Sequence, residues 1–304
     1  MAIMNYITPG ITKIDFEDSL FVLTDVGRDY TEDVQAFIES RDGIVKGSVT
    51  KATNYLFYGD GEEETTKYTK AMELINDNGL EINVLPLSLF LAASRGQGLV
   101  EFGRYPFEED GTPKSIKWSV LKKDAKRTLL ISSYGLDNKS YRGKLEGVTL
   151  MEAYHSKNKH KREGVTWETC ALRKWLNEEF YNTAFSEDEK KRICTTKVKN
   201  ADHSKYHTPG GCDTEDRIFL LSIREVKKYL PTEMERHIVP TPYAVKQGAQ
   251  ISEWYKTCWW WLRSPGEYPA DAVVVNCDGT INSEGDDVDL YSLSVCPAMW
   301  VELE

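Results

Sequence analysis

The sequence predicts an α+β protein of two domains: a small α/β sandwich over residues 1–95 and a larger, strand-rich domain over 99–304. Three observations carry this. Residues 1–95 alternate short apolar strands with amphipathic helices, the order that builds a layered sheet. Ser94-Arg95-Gly96-Gln97-Gly98 then makes a short polar, glycine-bearing break, the expected linker. Beyond it strands and turns dominate, and the chain closes on two apolar anchors, Cys258 to Leu262 and Val295 to Val301, around a polar tract. A chain of 304 residues is long enough for two such domains.

Ser19 to Thr24 has the composition of a buried strand. Thr31 is placed to cap a helix, with Glu32 and Asp33 in the first turn where carboxylates suit the dipole. Val34, Phe37 and Ile38 recur at helical spacing, and Asp42-Gly43 ends the run. Ile44 and Val45 follow, then the apolar strand Asn54 to Tyr58. Gly59-Asp60-Gly61 and three glutamates form a loop. Thr65 to Asn78 is a second helix with Tyr68, Met72 and Ile75 on one face, and Gly79 suits its left-handed cap. Ile82 to Leu85 is a last strand, and Pro86 opens a short helix through Ala93. The order β-α-β-β-α-β-α implies a sandwich around a parallel sheet.

In the second domain, Leu99 to Tyr105, Ser115 to Lys122 and Arg127 to Ser132 are predicted strands separated by turns. Residues 135–166 are polar, basic and without a clear period. Thr169 to Phe180 carries the stripe Leu172, Trp175, Leu176 and Phe180 of an amphipathic helix. Ser186 with Glu189, and Ser222 with Glu225, are capping boxes; the second follows a predicted strand, Arg217 to Leu221. The three consecutive tryptophans, Trp259 to Trp261, each carry ~150–250 Å² that is costly to leave in water. At least two belong in the core, and alternation sends Trp259 and Trp261 to one side. Arg263 is expected to bond backbone carbonyls in the turn at Ser264-Pro265-Gly266. Between the anchors, Ala272, Val274, Gly279, Ile281, Gly285 and Val288 recur among small or polar residues. That pattern suggests short strands and turns with one face inward and the other left to solvent or a ligand.

Composition limits the function classes. No apolar run approaches the ~20 residues of a membrane span, and no basic-then-apolar leader opens the chain. The expectation is a cytoplasmic protein with six thiols rather than disulfides. Net charge is −10. Residues 1–95 hold 8 Lys/Arg and 16 Asp/Glu, a difference of −8, so that third carries most of it. Such a surface repels phosphate backbones at long range, which disfavours non-specific nucleic-acid binding but leaves room for one terminal phosphate in a local pocket.

The chemical constellations are weak. His203-x3-His207-x4-Cys212 has metal-ligand residue types, but Pro209-Gly210-Gly211 breaks any helix and a fourth ligand is missing, so a polar loop is expected. His155 and His160 sit in a lysine-rich loop as solvated residues. Asp286-Asp287-x-Asp289 lacks the full pattern of a calcium loop and is expected to be an acidic turn. Cys258, Cys277 and Cys296 have no histidine near in sequence, and Cys258 is expected to be an inert buried thiol. No nucleophile elbow, phosphate loop or dinucleotide fingerprint appears. Neither a metal nor a cofactor is assigned.

Two resemblances sharpen this. "FVLTD", "GIVKGSVTKATNYLFYG" and "TTKYTKA" resemble a BRCT domain over most of residues 15–93, closest to those of bacterial NAD-dependent DNA ligase and of the large subunit of replication factor C. The resemblance implies a phosphate pocket to which Thr24 and Lys67 contribute, with Asp25 where Gly is usual. A Lys in the first turn of a helix also opposes the dipole, which a bound anion offsets; pairing with Glu63 or Glu64 is the alternative. "WWWLRSPG", "A-x-V…G-x-I…G-x-x-V" and "V-x-P-A-x-W", with "T-W…C-x-L-R-x-W-L-N" and "F-L-L-S", resemble a bacterial C-type-lectin-like family of the formylglycine-generating-enzyme type from about Leu99 onward. Variable proteins of diversity-generating retroelements share that fold and a similar ending.

The resemblances together imply a non-enzymatic bacterial binding protein. Its ligand, a protein, would meet the solvent face of about 267–294 through Glu267, Tyr268, Asp271, Val273, Asn276, Asp278, Asn282, Asp286, Asp287, Asp289, Tyr291 and Ser292. The BRCT-like domain would tether a phosphorylated protein or a DNA 5′-phosphate end, or drive self-association. Two alternatives stand beside this: a DNA-end or phosphopeptide adaptor, and a cysteine-dependent oxidase of the formylglycine-generating type.

Overall fold

A computed structural model describes residues 13–59, 65–143 and 164–302. The His155 and His160 assignments, most of the 135–166 stretch, the glutamates of the 59–64 loop and the first ten residues therefore lie outside the described residues.

The N-terminal unit is a four-stranded parallel sheet in the order β2-β1-β3-β4, built from β1 (Leu20–Thr24), β2 (Ile44–Lys46), β3 (Tyr55–Tyr58) and β4 (Asn83–Pro86). Side chains alternate across it, as strand geometry demands. Phe21, Leu23, Tyr55, Phe57 and Leu85 pack with α1 (Arg28–Glu39) and α3 (Leu87–Ser94). Val22, Leu56, Tyr58 and Val84 pack with Ala71 and Leu74 of α2 (Thr66–Asn78). Thr65 caps α2 by accepting the Tyr68 N–H at 3.1 Å, and Gly79 closes it at φ 66°. The sandwich about a parallel sheet is thus as expected. The start of α1 is not: the helix begins at Arg28 after Gly27, and Thr31 lies inside it, its hydroxyl donating to the Gly27 carbonyl at 2.7 Å. The Thr31 side chain satisfies a carbonyl rather than the free N–H groups a cap would serve.

Two larger sheets organise the remainder. One joins β5 (Leu99–Pro106), β6 (Pro113–Lys123), β7 (Thr128–Ser132) and β15 (Ala298–Val301) in the order β15-β7-β6-β5. The C-terminal anchor therefore completes a sheet begun two hundred residues earlier, with Met299 opposite Leu130. The other runs β13-β12-β11-β14-β8, from β8 (Asp137–Asn138), β11 (Trp260–Pro265), β12 (Asp271–Val275), β13 (Ile281–Asp287) and β14 (Ser294–Val295). A small pair, β9 (Thr196–Val198) and β10 (Thr214–Asp216), lies between them in sequence. One core joins these elements, including Trp118, Trp167, Trp260 and Trp261.

The expected amphipathic helix is α4, which starts at Ala171–Trp175, passes through a π-helical turn at Leu176–Phe180 and continues over Tyr181–Ala184. Both expected capping boxes form, on α5 (Glu187–Arg192) and α6 (Ile223–Tyr229). A third, Thr232 with Glu235, opens α7 (Glu233–Arg236), and α8 (Pro242–Lys246) follows. Arg217 to Leu221 is not a strand: Phe219 makes a single bridge to Ala298. Trp260 and Trp261 are both buried while Trp259 is half-exposed, because β11 is interior to its sheet and is covered on both faces. Arg263 bonds the carbonyls of Leu220 and Lys199 and pairs with Glu225, rather than serving its own turn.

The stretch expected as a linker, residues 94–98, holds a buried cation. Arg95 is fully buried. Its guanidinium donates to the carbonyls of Glu235 at 2.7 Å, His237 at 2.6 Å and Ser133 at 3.4 Å, and to the Ser119 hydroxyl at 3.3 Å. Nearby, the Tyr30 hydroxyl meets His237 Nδ1 at 2.5 Å, and Arg41, stacked 3.6 Å over Phe37, pairs with Glu235 at 3.0 Å. A planar fork suits convergent carbonyls in a way a flexible tether does not.

Candidate functional site

The polar tract between the anchors is a bulged hairpin, β12 paired antiparallel with β13, on the edge of the five-stranded sheet. Its glycines are set by geometry. Gly279 has φ 78° and a Cβ there would lie 2.2 Å from the Glu233 carbonyl oxygen; Gly285 has φ 83° and faces the Ala272 carbonyl at 2.7 Å. Only glycine fits both the left-handed backbone and the close approach.

The twelve residues assigned to the solvent face divide in two. Glu267, Tyr268, Asn276, Asp278, Asn282, Asp286, Tyr291 and Ser292 are half-exposed. Asp271, Val273, Asp287 and Asp289 are buried, at 5%, 0%, 6% and 6% exposure, and do not face solvent. Val273 is an inward residue of β12, a strand flanked on both sides. Asp289 accepts from Arg142 Nε at 2.8 Å, and Asp287 Oδ1 accepts the Asp289 N–H at 3.1 Å. Asp271 closes the preceding turn, its N–H donating to Tyr268 and its carbonyl accepting from Gly266. The carboxylates of Asp287 and Asp289 are held by such bonds, and Asp271 is tied in through its backbone, so these residues frame the hairpin.

Some half-exposed residues also shape turns. Asp278 Oδ1 accepts the Thr280 N–H at 2.9 Å, Asn276 Nδ2 donates to Thr280 Oγ1 at 3.0 Å, and Asn282 Oδ1 accepts from Gly285 N–H at 3.3 Å. Glu267, Tyr268, Asp286, Tyr291 and Ser292 are the other half-exposed residues of the set.

Lys67 reaches the end of the strand that carries Thr24. Lys67, in the first turn of α2, donates Nζ to the Leu23 carbonyl at 2.9 Å, one residue from Thr24 at the C-terminal end of β1. Thr24 is buried, and its hydroxyl lies 3.5 Å from Asp25 Oδ2. Asp25 adopts φ 50°, a conformation that favours glycine, and this matches its place in the pattern.

The other candidates do not assemble. Among the described residues no three His, Cys, Asp or Glu side chains are grouped to hold a metal ion. His203 is buried and accepts two backbone N–H groups at Nδ1; His207 stands at φ 59° and Cys212 is exposed. Cys258 is fully buried, its thiol donating to the Ile238 carbonyl, and burial pushes its pKa up to about 12. Burial raises the Cys296 thiol as well. Neither is disposed to be a nucleophile at neutral pH. Sequence reasoning missed the buried His237 and Arg95, whose partners lie from 24 to 207 positions away and leave no local pattern.

A family model described as a domain of unknown function (DUF6273) matches residues 125–303. The chain belongs to that family. The DUF6273 region includes β7, the hairpin and both apolar anchors. A 42-residue segment is 55% identical to a DNA ligase of Acanthamoeba polyphaga mimivirus, covering 14% of this chain and 7% of the ligase. The chain thus spans a small fraction of that curated relative. No solved structure matches the chain.

Proposed function

We propose that this is a non-enzymatic binding protein whose DUF6273 domain, on a C-type-lectin-like scaffold, presents the half-exposed side chains of 267–292 to a protein ligand. The observation that carries this reading is the contrast within the hairpin. Ala272, Val273, Val274 and Val275 are fully buried, while Glu267, Tyr268, Asp286, Tyr291 and Ser292 sit half-exposed at its ends and edge. Tyrosines add contact area at low entropic cost, and carboxylates and hydroxyls add adaptable hydrogen bonds. The buried Asp271, Val273, Asp287 and Asp289 restrict a diversified surface of the retroelement type to the outer residues. The test is a photo-crosslinking amino acid placed at Tyr268, at Tyr291 and, as a control, at exposed Lys126 in the source cells. A discrete protein adduct from the first two and none from the third supports the reading; adducts absent from both tyrosine positions end it.

A second reading concerns the N-terminal unit, a BRCT-like tether for a phosphorylated protein or a DNA 5′-phosphate. It is favoured by the convergence of Lys67 and Thr24 at the end of β1 and by the short likeness to a DNA ligase. A 5′-phosphorylated DNA end and its unphosphorylated twin are titrated against the protein. Tighter binding of the phosphorylated end, lost in Lys67→Ala, is expected; equal affinity refutes it.

A further inference from the structure

Trp254 is 69% exposed, the most of any large apolar side chain among the described residues. An exposed ring alone means little. What marks this one is how it is held. Ser252 Oγ accepts the N–H groups of Trp254 and Tyr255, both at 3.3 Å, and the Ser252 carbonyl accepts the Lys256 N–H at 2.9 Å. Tyr255 packs edge-on against Tyr30, ring centroids 5.5 Å apart, and lies 5.6 Å from the His237 ring. The 252–256 loop is therefore pinned to the N-terminal unit while its indole meets solvent. A ligand on that ring pays little to order it.

The second observation is where the loop is pinned. A Cβ at Gly27 would lie 3.2 Å from the Trp254 carbonyl oxygen, and Gly27 stands at φ 90°. Gly27 closes the segment that follows β1, and Thr24 ends β1. The two residues are at most about 11 Å apart along the chain. An extended peptide whose phosphate sits at Thr24 and Lys67 brings a side chain about three to five residues away to the indole.

Charge decides which ligand fits. Residues 25–33 hold Asp25, Asp29, Glu32 and Asp33 against Arg28 alone. Asp25, Glu32 and Asp33 are exposed, and in the Trp254 loop exposed Glu253 offsets exposed Lys256. A nucleic-acid strand or an acidic phosphopeptide would bring further negative charge against this rim. A phosphate with cations beside it avoids that conflict: the phosphate meets Lys67, and the cations meet Asp25 and the α1 carboxylates. A guanidinium also stacks on an indole face, which a carboxylate does not.

We propose that Trp254 and the acidic 25–33 segment extend the phosphate site into a docking surface for a phosphorylated peptide with arginine within about five residues of the phosphate. This rests on the reading of the N-terminal unit as a phosphate-binding tether. The test is fluorescence anisotropy of the full chain with labelled phosphothreonine peptides carrying arginines on both sides. Its controls are the unphosphorylated twin, a phosphorylated twin with glutamates for arginines, and a 5′-phosphorylated oligonucleotide. The basic phosphopeptide is expected to bind at least about ten-fold tighter than each control. Trp254→Ala should weaken it about five-fold at unchanged Tm, and Trp254→Phe should restore part of the loss. Asp25→Gly suits the φ of 50° and removes a carboxylate, so it should narrow the preference for arginine over glutamate.

The outcomes separate. If phosphorylation changes nothing, the tether reading fails and this inference with it. If the phosphate is preferred but neither Trp254→Ala nor the exchange of arginine for glutamate matters, this inference alone fails. An oligonucleotide that binds tighter than the basic phosphopeptide overturns it as well.

Discussion

Replacing Arg95 by methionine removes every donor of the guanidinium while keeping most of the side-chain length. Three backbone carbonyls, Glu235, His237 and Ser133, then lose a donor in a fully buried place. A buried acceptor left without a partner costs ~1–3 kcal/mol, so the three together cost roughly 6 kcal/mol. One term offsets this. Burial lowers the Arg95 pKa to about 10 from 12.5. The cation is therefore held against a penalty of about 3 kcal/mol that methionine does not bear. The net expectation is a destabilisation of about 3 kcal/mol. Urea unfolding followed by tryptophan fluorescence and far-UV circular dichroism measures it, because all eight tryptophans follow Arg95 in sequence while helices lie on both sides of it. Arg95→Lys should fall between, since an ammonium cannot fork to separate carbonyls. A methionine variant within ~0.5 kcal/mol of the parent, the ordinary scatter of neutral surface changes, would refute the role given to Arg95.

Three further outcomes are expected. His237 is 3% exposed, and burial lowers its pKa to about 4 from 6.5. The unfolded chain therefore binds a proton first on acidification; this contribution is intact above pH 6.5 and is lost as pH falls towards 4, by about 3 kcal/mol, and His237→Gln should flatten the Tm–pH slope in that window. In brief iodoacetamide labelling of the folded protein, Cys212 should react well before the buried Cys170, Cys258 and Cys296; early modification of Cys258 would contradict its burial. Thr232→Ala removes a capping box whose glutamate also holds Arg41, and should cost about 1 kcal/mol in the same urea assay.

Local pattern made the N-terminal sandwich legible. Thr65 and Gly79 punctuate α2 with chemistry that needs no distant partner, and alternation in β1 follows from strand geometry alone. The capping boxes at Ser186 and Ser222 were legible for the same reason. What escaped depends on distant chain. Arg95 reads only as part of a short polar break until the carbonyls of residues 235 and 237 are brought against it. Asp287 and Asp289 read as an acidic turn, whereas the partner that permits burial of Asp289 is Arg142, 147 positions earlier. Phe219 looked like part of a strand because it is apolar, yet only one bridge forms there. At the candidate face, the residue types were legible, but which of them point outward was set by a bulge in the β12–β13 pairing that shifts register between Ala272 and Val274.

The double variant Tyr268→Ala with Tyr291→Ala tests the central claim most directly, by measuring capture of the crosslinked partner beside the melting temperature. The account predicts lost capture at an unchanged Tm, because both rings are half-exposed and the strands behind them are buried. Retained capture, or a Tm that falls together with it, would contradict the claim that these side chains serve a ligand and not the fold.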